Sequence, residues 1–176
     1  MSPISKIALG ALASVLLGST AMAADLMAPP PVEAAMTSDW TGGYIGLQGS
    51  AIRDSSAVTS AAIDVVLGAD FQTDMFLVGG RIWAGYTSAV SGGTGSNWDY
   101  GVEGRAGFVA DSALVYGALG DQSYAGGINY WTAGVGVEFK LGDNASIDLE
   151  YKHLWPGSGA TLSADQLLAG LHWRFK

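Results

Sequence analysis

The sequence predicts an all-β fold, an eight-stranded antiparallel transmembrane β-barrel with short periplasmic turns and longer external loops. Three observations lead to this prediction. Apolar and polar residues alternate in eight segments, the connections between segments are alternately short and long, and aromatic residues cluster near the segment ends. Alternation gives each strand one apolar and one polar face, as expected where lipid lies outside a barrel and polar groups lie inside.

The first element along the chain predicts export. Lys6 precedes an uncharged apolar run at residues 7–17, and the small residues Ala21 and Ala23 fit a signal-peptidase site, so we expect a signal peptide over residues 1–23. A single transmembrane helix is the alternative, but it needs about 20 apolar residues. The run is shorter than that.

The predicted mature chain starts at Ala24. Residues 24–39 contain three consecutive prolines, which favour an extended conformation of about 3.1 Å per residue. We therefore expect a periplasmic linker over 24–39, followed by the barrel domain over 40–176.

Eight segments in that domain carry the strand pattern. Their predicted bounds are 44–51, 62–71, 75–87, 98–109, 113–119, 130–141, 147–154 and 165–175. An even count suits a bacterial single-chain barrel, and the last segment has about the 9–11 residues that a tilted strand needs to cross a bilayer. We expect the last strand to pair with the first and close the barrel. In the fifth segment the pattern does not decide which face points to lipid.

The connections predict the orientation. The short ones are 72–74, 110–112 and 142–146, and the longer ones are 52–61, 88–97, 120–129 and 155–165. If the short turns are periplasmic, the aromatic residues fall into two girdles. The periplasmic girdle is Trp40, Phe71, Phe76, Phe108, Phe139 and Phe175, and the outer girdle is Tyr86, Trp98, Trp131, Tyr151 and Trp155. A soluble lipocalin-like barrel is the main rival, because alternation alone fits both; the export signal and the girdles favour the membrane.

The predicted inward face carries charges of both signs. They are Asp64, Asp70, Arg81, Asp99, Glu103, Arg105, Glu138, Lys140, Asp148, Glu150, Lys152 and Arg174. An eight-stranded barrel is only wide enough for side chains to fill it, and unpaired buried charge is costly, so we expect an ion-pair network that plugs the lumen. A narrow ion path is the alternative. In the hairpin of the sixth and seventh strands, we predict that Glu138 faces Lys152 and that Lys140 faces Glu150.

Composition narrows the function classes. The chain has no cysteine and a formal net charge of −8, which excludes a disulfide scaffold and argues against nucleic-acid binding. No phosphate-binding loop or metal-ligand cluster is recognisable, so no cofactor is expected. His153, near the outer rim, is a weak candidate for a haem ligand. A lipid-A-modifying enzyme using His153 with Ser158 or Ser163 is a further alternative, although no motif of such enzymes is present.

Several short motifs resemble one family. Residues 40–46 (WTGGYIG), 105–108 (RAGF), 134–139 (GVGVEF) and 149–151 (LEY) resemble the small outer-membrane β-barrel proteins of alphaproteobacteria, porin-like surface antigens of the OmpA-like barrel superfamily. The resemblance covers nearly all of residues 40–175. It implies an outer-membrane surface antigen without catalytic activity, which contributes to envelope integrity and surface interaction.

The resemblance also implies partners. They are outer-membrane lipid, lipopolysaccharide and, during insertion, the barrel-assembly machinery. Some family members begin with Ala-Asp and are joined to peptidoglycan through that alanine, so the match at Ala24 and Asp25 implies an attachment point there. An ordinary disordered leader is the alternative.

Overall fold

The computed structural model of the protein describes residues 38–91 and 96–175, which form a closed antiparallel β-barrel. Its strands are β1 (Gly42–Asp54), β2 (Thr59–Thr73), β3 (Phe76–Ser91), β4 (Ser96–Ala110), β5 (Ala113–Tyr124), β6 (Ile128–Lys140), β7 (Ala145–Pro156) and β8 (Ala164–Phe175). This confirms the predicted eight strands and their order. In these ranges, no helix is long and apolar enough to cross a membrane.

The strands alternate between lipid-facing and lumen-facing residues. In β8 every second side chain from Ala164 to Arg174 is buried, and every second one from Asp165 to Phe175 is exposed. The exposed set of the barrel is dominated by large apolar residues such as Leu167 and Leu171. So large an apolar surface is unfavourable in water, whereas it is well solvated by the lipid chains of a membrane.

The barrel closes between its first and last strands. β1 pairs with β2 on one side and with β8 on the other, in a register that runs from Gly43 opposite Phe175 to Asp54 opposite Ala164. Closure leaves no strand edge, so the backbone groups of the strands are satisfied inside the bilayer. The predicted pairing of the terminal strand with the first one is confirmed.

The connections are shorter than the sequence pattern suggested, and among the described ones the predicted difference in length between the two ends holds on average. At the periplasmic end, residues 74–75, 111–112 and 141–144 connect the strands, and at the outer end described connections span residues 55–58, 125–127 and 157–163. The strands are 12 to 16 residues long, longer than the 9–11 needed to span a bilayer. They therefore extend into much of the predicted external loops. β5 is the largest case, since it continues to Tyr124 rather than ending near residue 119.

The predicted register of the β6–β7 hairpin is wrong. Glu138 lies opposite Asp148, and Lys140 lies opposite Ser146. The tight turn at 141–144 fixes this register through a hydrogen bond from the Leu141 amide to the Ala145 carbonyl, with Gly142 at a φ of 131°. Two carboxylates can face each other there because arginines from strands other than β6 and β7 neutralise them. Arg105 on β4 and Arg174 on β8 bind Glu138, and Arg81 on β3 binds Asp148.

Candidate functional site

The lumen is the chemically richest region of the barrel. In its periplasmic half, Asp70, Arg105, Glu138 and Arg174 form what we call the inner network. Each guanidinium bridges both carboxylates: Arg105 lies 2.8 Å from Glu138 and also binds Asp70, and Arg174 lies 2.9 Å from Asp70 and 2.8 Å from Glu138. All four side chains are buried. Two anions and two cations alternate in a closed ring, so the inner network is electrically neutral.

A second group, the central network, lies further along the lumen and comprises Arg81, Glu103, Asp148, Glu150 and Lys152. Arg81 contacts Glu103 at 2.8 Å, Asp148 at 3.0 Å and also Glu150, while the Lys152 ammonium lies 2.6 Å from Glu103. Tyr116 stands between the two networks, because its hydroxyl donates to Asp148 at 2.8 Å and its ring lies 5.1 Å from the Arg105 guanidinium. The central network has three carboxylates and two cations.

Tyr116 is a lumen residue that the sequence pattern did not identify. On β5 the inward residues Leu114, Tyr116 and Ala118 are buried, and the outward residues Val115 and Leu119 are exposed. Both faces are apolar, so period-two alternation carries no signal in this segment. Glycines supply the space for its ring: a Cβ on Gly136 would lie 2.4 Å from the Tyr116 ring carbon Cζ. Inward glycines facing a large ring are the signal that could have located it.

The outer part of the lumen holds an acid pair, Asp64 and Asp99. Their hydrogen-bond donors are neutral: Gln48 donates to Asp64 at 3.1 Å, and Thr87 donates to Asp99 at 2.8 Å. Neither carboxylate makes a salt bridge with a lysine or arginine of the described residues. The sequence analysis predicted one ion-pair network of twelve charged residues, but Asp64 and Asp99 belong to neither the inner nor the central network.

Lys140 is also outside the lumen networks. Its ammonium donates to the Asp39 carbonyl and lies 5.0 Å from the centre of the Trp40 ring, at the periplasmic mouth of the barrel. Because Lys140 is the last residue of β6, its side chain reaches the mouth and not the interior. Beside it, a cavity of about 560 Å³ is lined by Trp40, Lys140 and Arg174, among others.

The prediction that Trp40 belongs to the periplasmic girdle is wrong. Its side chain is 1% exposed and packs inside the barrel end with Leu77, Val109 and Leu114. The chain before β1 crosses the mouth, since the Trp40 amide donates to the Gln72 side chain at 2.8 Å. The Arg174 guanidinium lies 4.6 Å from the Trp40 ring centre. Trp40 therefore closes the periplasmic end of the lumen.

The other predicted girdle residues face outward. They are 40–65% exposed, and the set is Phe71, Phe76, Phe108, Phe139 and Phe175 toward the periplasm and Tyr86, Trp98, Trp131, Tyr151 and Trp155 toward the outside. Neighbouring strands pair some of the rings, as with Phe76 and Phe108 at 5.1 Å and Tyr86 and Trp98 at 5.8 Å.

His153 faces outward near the outer rim and is engaged by its neighbours. Its Nδ1 lies 2.8 Å from Asp165 Oδ1, the Tyr151 hydroxyl donates to the same oxygen at 2.7 Å, and the Trp155 ring lies 4.6 Å away. A carboxylate partner fixes the proton on Nδ1 and leaves Nε2 facing away. The other proposed site residue, Ala24, lies outside the described residues.

Comparison with known proteins decides the family. No family model matches the chain. The chain is 31% identical over 185 residues to the 25 kDa outer-membrane immunogenic protein of Brucella ovis, covering 89% of this chain and 91% of that protein. The chain belongs to this family. The Brucella abortus member is 32% identical over 168 residues, covering 80% of this chain and 79% of its own length.

Solved structures agree on the fold. The Yersinia pestis attachment invasion locus protein Ail, solved with the heparin analogue sucrose octasulfate, has a TM-score of 0.53 at 15% identity and covers 77% of this chain and 97% of its own. The outer membrane enzyme PagL has a TM-score of 0.51 at 15% identity, with coverages of 74% and 99%. These likenesses show a shared eight-stranded barrel. Together with the family, they place the protein in the outer membrane as a surface-antigen barrel.

Proposed function

We propose that the protein is a non-catalytic, plugged outer-membrane barrel that stabilises the envelope by contacting lipopolysaccharide at its outer rim and peptidoglycan through a linker at its periplasmic end. The observation that carries the proposal is the filled lumen. Trp40 at the periplasmic mouth, the inner network and the central network succeed one another along its axis. Such an interior favours a structural role over that of a channel, because the passage of ions through the lumen would require breaking buried ion pairs.

The entry of the chain into the barrel supports the peptidoglycan contact. The described chain begins at Ser38 beside the periplasmic mouth, where Trp40, Thr41 and Gln72 are joined by two backbone-to-side-chain hydrogen bonds of 2.8 and 3.1 Å. The linker over residues 24–39 has 16 residues, and at about 3.1 Å per residue it would reach roughly 50 Å when extended. A covalent bond at Ala24 would then connect the peptidoglycan to the end of the barrel that Trp40 closes.

Catalysis is the weaker candidate. The His153–Asp165 pair has the geometry of a base held by a carboxylate, and one barrel of similar fold is an enzyme. Among the described residues, no hydrogen bond joins His153 to Ser158 or Ser163, the candidate nucleophiles, and the hydrogen-bond partner of its Nδ1 is Asp165. Lipid-A mass spectrometry of cells with and without the protein addresses this: we expect identical acyl patterns, and a missing or added acyl chain would favour the enzyme.

The wall contact is tested on purified sacculi. Cells that express the full-length chain are boiled in detergent, the sacculi are digested with muramidase, and the released N-terminal peptide is analysed by mass spectrometry. We expect peptides starting at Ala24 to carry a peptidoglycan fragment on the α-amine. Shortening the linker by deleting residues 28–37 should reduce the yield, whereas replacing them by a Gly-Ser sequence of equal length should not. A free Ala24 amine on all released material would refute the contact.

A further inference from the structure

A charged row formed by three adjacent strands lies on the outward face of the barrel at the outer rim. Arg53 on β1 is directly opposite Asp165 on β8, and Asp165 is directly opposite His153 on β7. Directly opposed residues of antiparallel strands point to the same side of the sheet. Arg53 and Asp165 are exposed, while their chain neighbours Ile52 and Gln166 are buried in the lumen. The row therefore faces the membrane.

Arg53 is distinct among the basic residues. Of the lysines and arginines in the described ranges, Arg81, Arg105, Lys152 and Arg174 lie in the lumen and Lys140 lies at the periplasmic mouth. Arg53 alone among these six residues is on the outer surface of the barrel wall. An exposed guanidinium offers an approaching anion a positive charge and several N–H donors.

One oxygen of each carboxylate near Arg53 in the sequence or in the strand register accepts hydrogen bonds from other groups. Asp165 Oδ1 accepts hydrogen bonds from Tyr151 and His153, at 2.7 and 2.8 Å. Asp54 Oδ1 accepts from Ser56 and Val58 in the following turn. Within the described residues, Arg53 forms no ion pair, so its five N–H donors are directed to the surroundings.

The depth of the charged row in the membrane indicates which lipid groups surround it. His153 lies between Tyr151 and Trp155 on the same face of β7, and both belong to the outer girdle. Aromatic girdles lie at the headgroup level of a bilayer. In the outer leaflet of a Gram-negative outer membrane, this level contains the lipid A headgroups of lipopolysaccharide, whose sugars carry phosphate. A guanidinium can bind a phosphate through two parallel hydrogen bonds.

We propose that Arg53, with the Asp165–His153 pair beside it, forms a binding site for one phosphate of the lipid A headgroup. The proposal rests on the proposed contact with lipopolysaccharide and names its site. Asp165 holds the imidazole in place through its Oδ1. Trp155 provides a flat apolar surface against the sugar ring next to the phosphate.

The test uses the full-length barrel in detergent and native mass spectrometry with diphosphoryl lipid A, dephosphorylated lipid A and phosphatidylethanolamine. We expect the wild type to prefer diphosphoryl lipid A over the dephosphorylated form by about tenfold, the range expected for a charged hydrogen-bonded pair. R53Q should lose this preference, and R53K should keep part of it. K140Q removes the same charge at the opposite end of the barrel and should behave like the wild type. Heat-modifiable gel mobility verifies that each variant is folded.

The outcomes separate the two proposals. If the wild type binds lipid A no better than phosphatidylethanolamine, the contact with lipopolysaccharide and the site are both refuted. If the wild type prefers diphosphoryl lipid A and R53Q keeps that preference, the Arg53 site is overturned while the contact stands. Equal loss in R53Q and K140Q would also overturn the site, because the effect would then reflect net charge alone.

Discussion

Removing the Arg105 guanidinium tests the inner network most sharply. In R105M the flexible apolar side chain fills part of the same volume, but Asp70 and Glu138 are left with Arg174 as their remaining arginine partner. Arg105 is 3% exposed, and its Nη1 lies 2.8 Å from Glu138. Breaking a buried ion pair by removing one partner typically costs about 3–5 kcal/mol, because an uncompensated charge stays buried. We expect a loss of that size in the free energy of unfolding.

The assay is urea unfolding in phospholipid vesicles, followed by tryptophan fluorescence and by heat-modifiable gel mobility, with linear extrapolation to water. Two matched variants show whether charge balance is the cause. R105M/E138Q leaves Asp70 paired with Arg174 and restores neutrality, so it should recover roughly half of the loss or more. K140Q removes one cation at the mouth and should cost less than about 1 kcal/mol. A loss below about 1 kcal/mol in R105M, or a double variant less stable than R105M, would refute the argument.

Three further tests use the same unfolding assay, two of them on packing and one on a buried hydrogen bond. W40A should lower the free energy of unfolding by about 3 kcal/mol because the indole is buried at the periplasmic mouth. W98A removes a lipid-facing ring and should lower it by less. Equal losses in the two variants would contradict the buried position of Trp40. G85A should be strongly destabilising because a Cβ would lie 2.1 Å from Asp64 Oδ1 and 2.2 Å from the Ile63 carbonyl oxygen. G49A should be tolerated because a Cβ there would lie 3.9 Å from its nearest neighbour, the Ala62 carbonyl oxygen; the reverse order of stabilities would be inconsistent with the barrel register. Y116F should cost about 1–2 kcal/mol through loss of the hydrogen bond to Asp148, and an unchanged midpoint would show that this bond contributes nothing.

Much of the fold could be predicted from local pattern. Along β4 and β8 most lipid-facing residues are apolar and many lumen-facing residues are polar, so the alternation of apolar and polar residues located these strands and assigned their faces. On β5 the inward residues Leu114 and Tyr116 are apolar, so the same signal is absent. The external loops were overestimated because polar and glycine-rich strand ends, such as residues 120–124, look like loops in sequence.

The ion-pair networks were less predictable than the strands because most of their contacts join side chains from strands that do not pair with each other. The sequence identifies charged residues on inward faces, but it does not show that Glu138 meets Arg105 and Arg174 from distant strands. Reasoning from neighbouring strands alone therefore produced the wrong β6–β7 register. Trp40 was misplaced for a related reason: as an aromatic residue next to a strand end it fits a girdle, and only the chain path across the mouth turns it inward.

The central claim, that the lumen is plugged, is tested most directly by single-channel recording of the refolded full-length protein in planar bilayers. We expect a flat baseline at 100 mV for the wild type, because buried ion pairs and Trp40 close the lumen. Stepped, reproducible conductance from the wild-type protein, in preparations that pass the gel-mobility test for folding, would contradict the claim and favour a narrow pore.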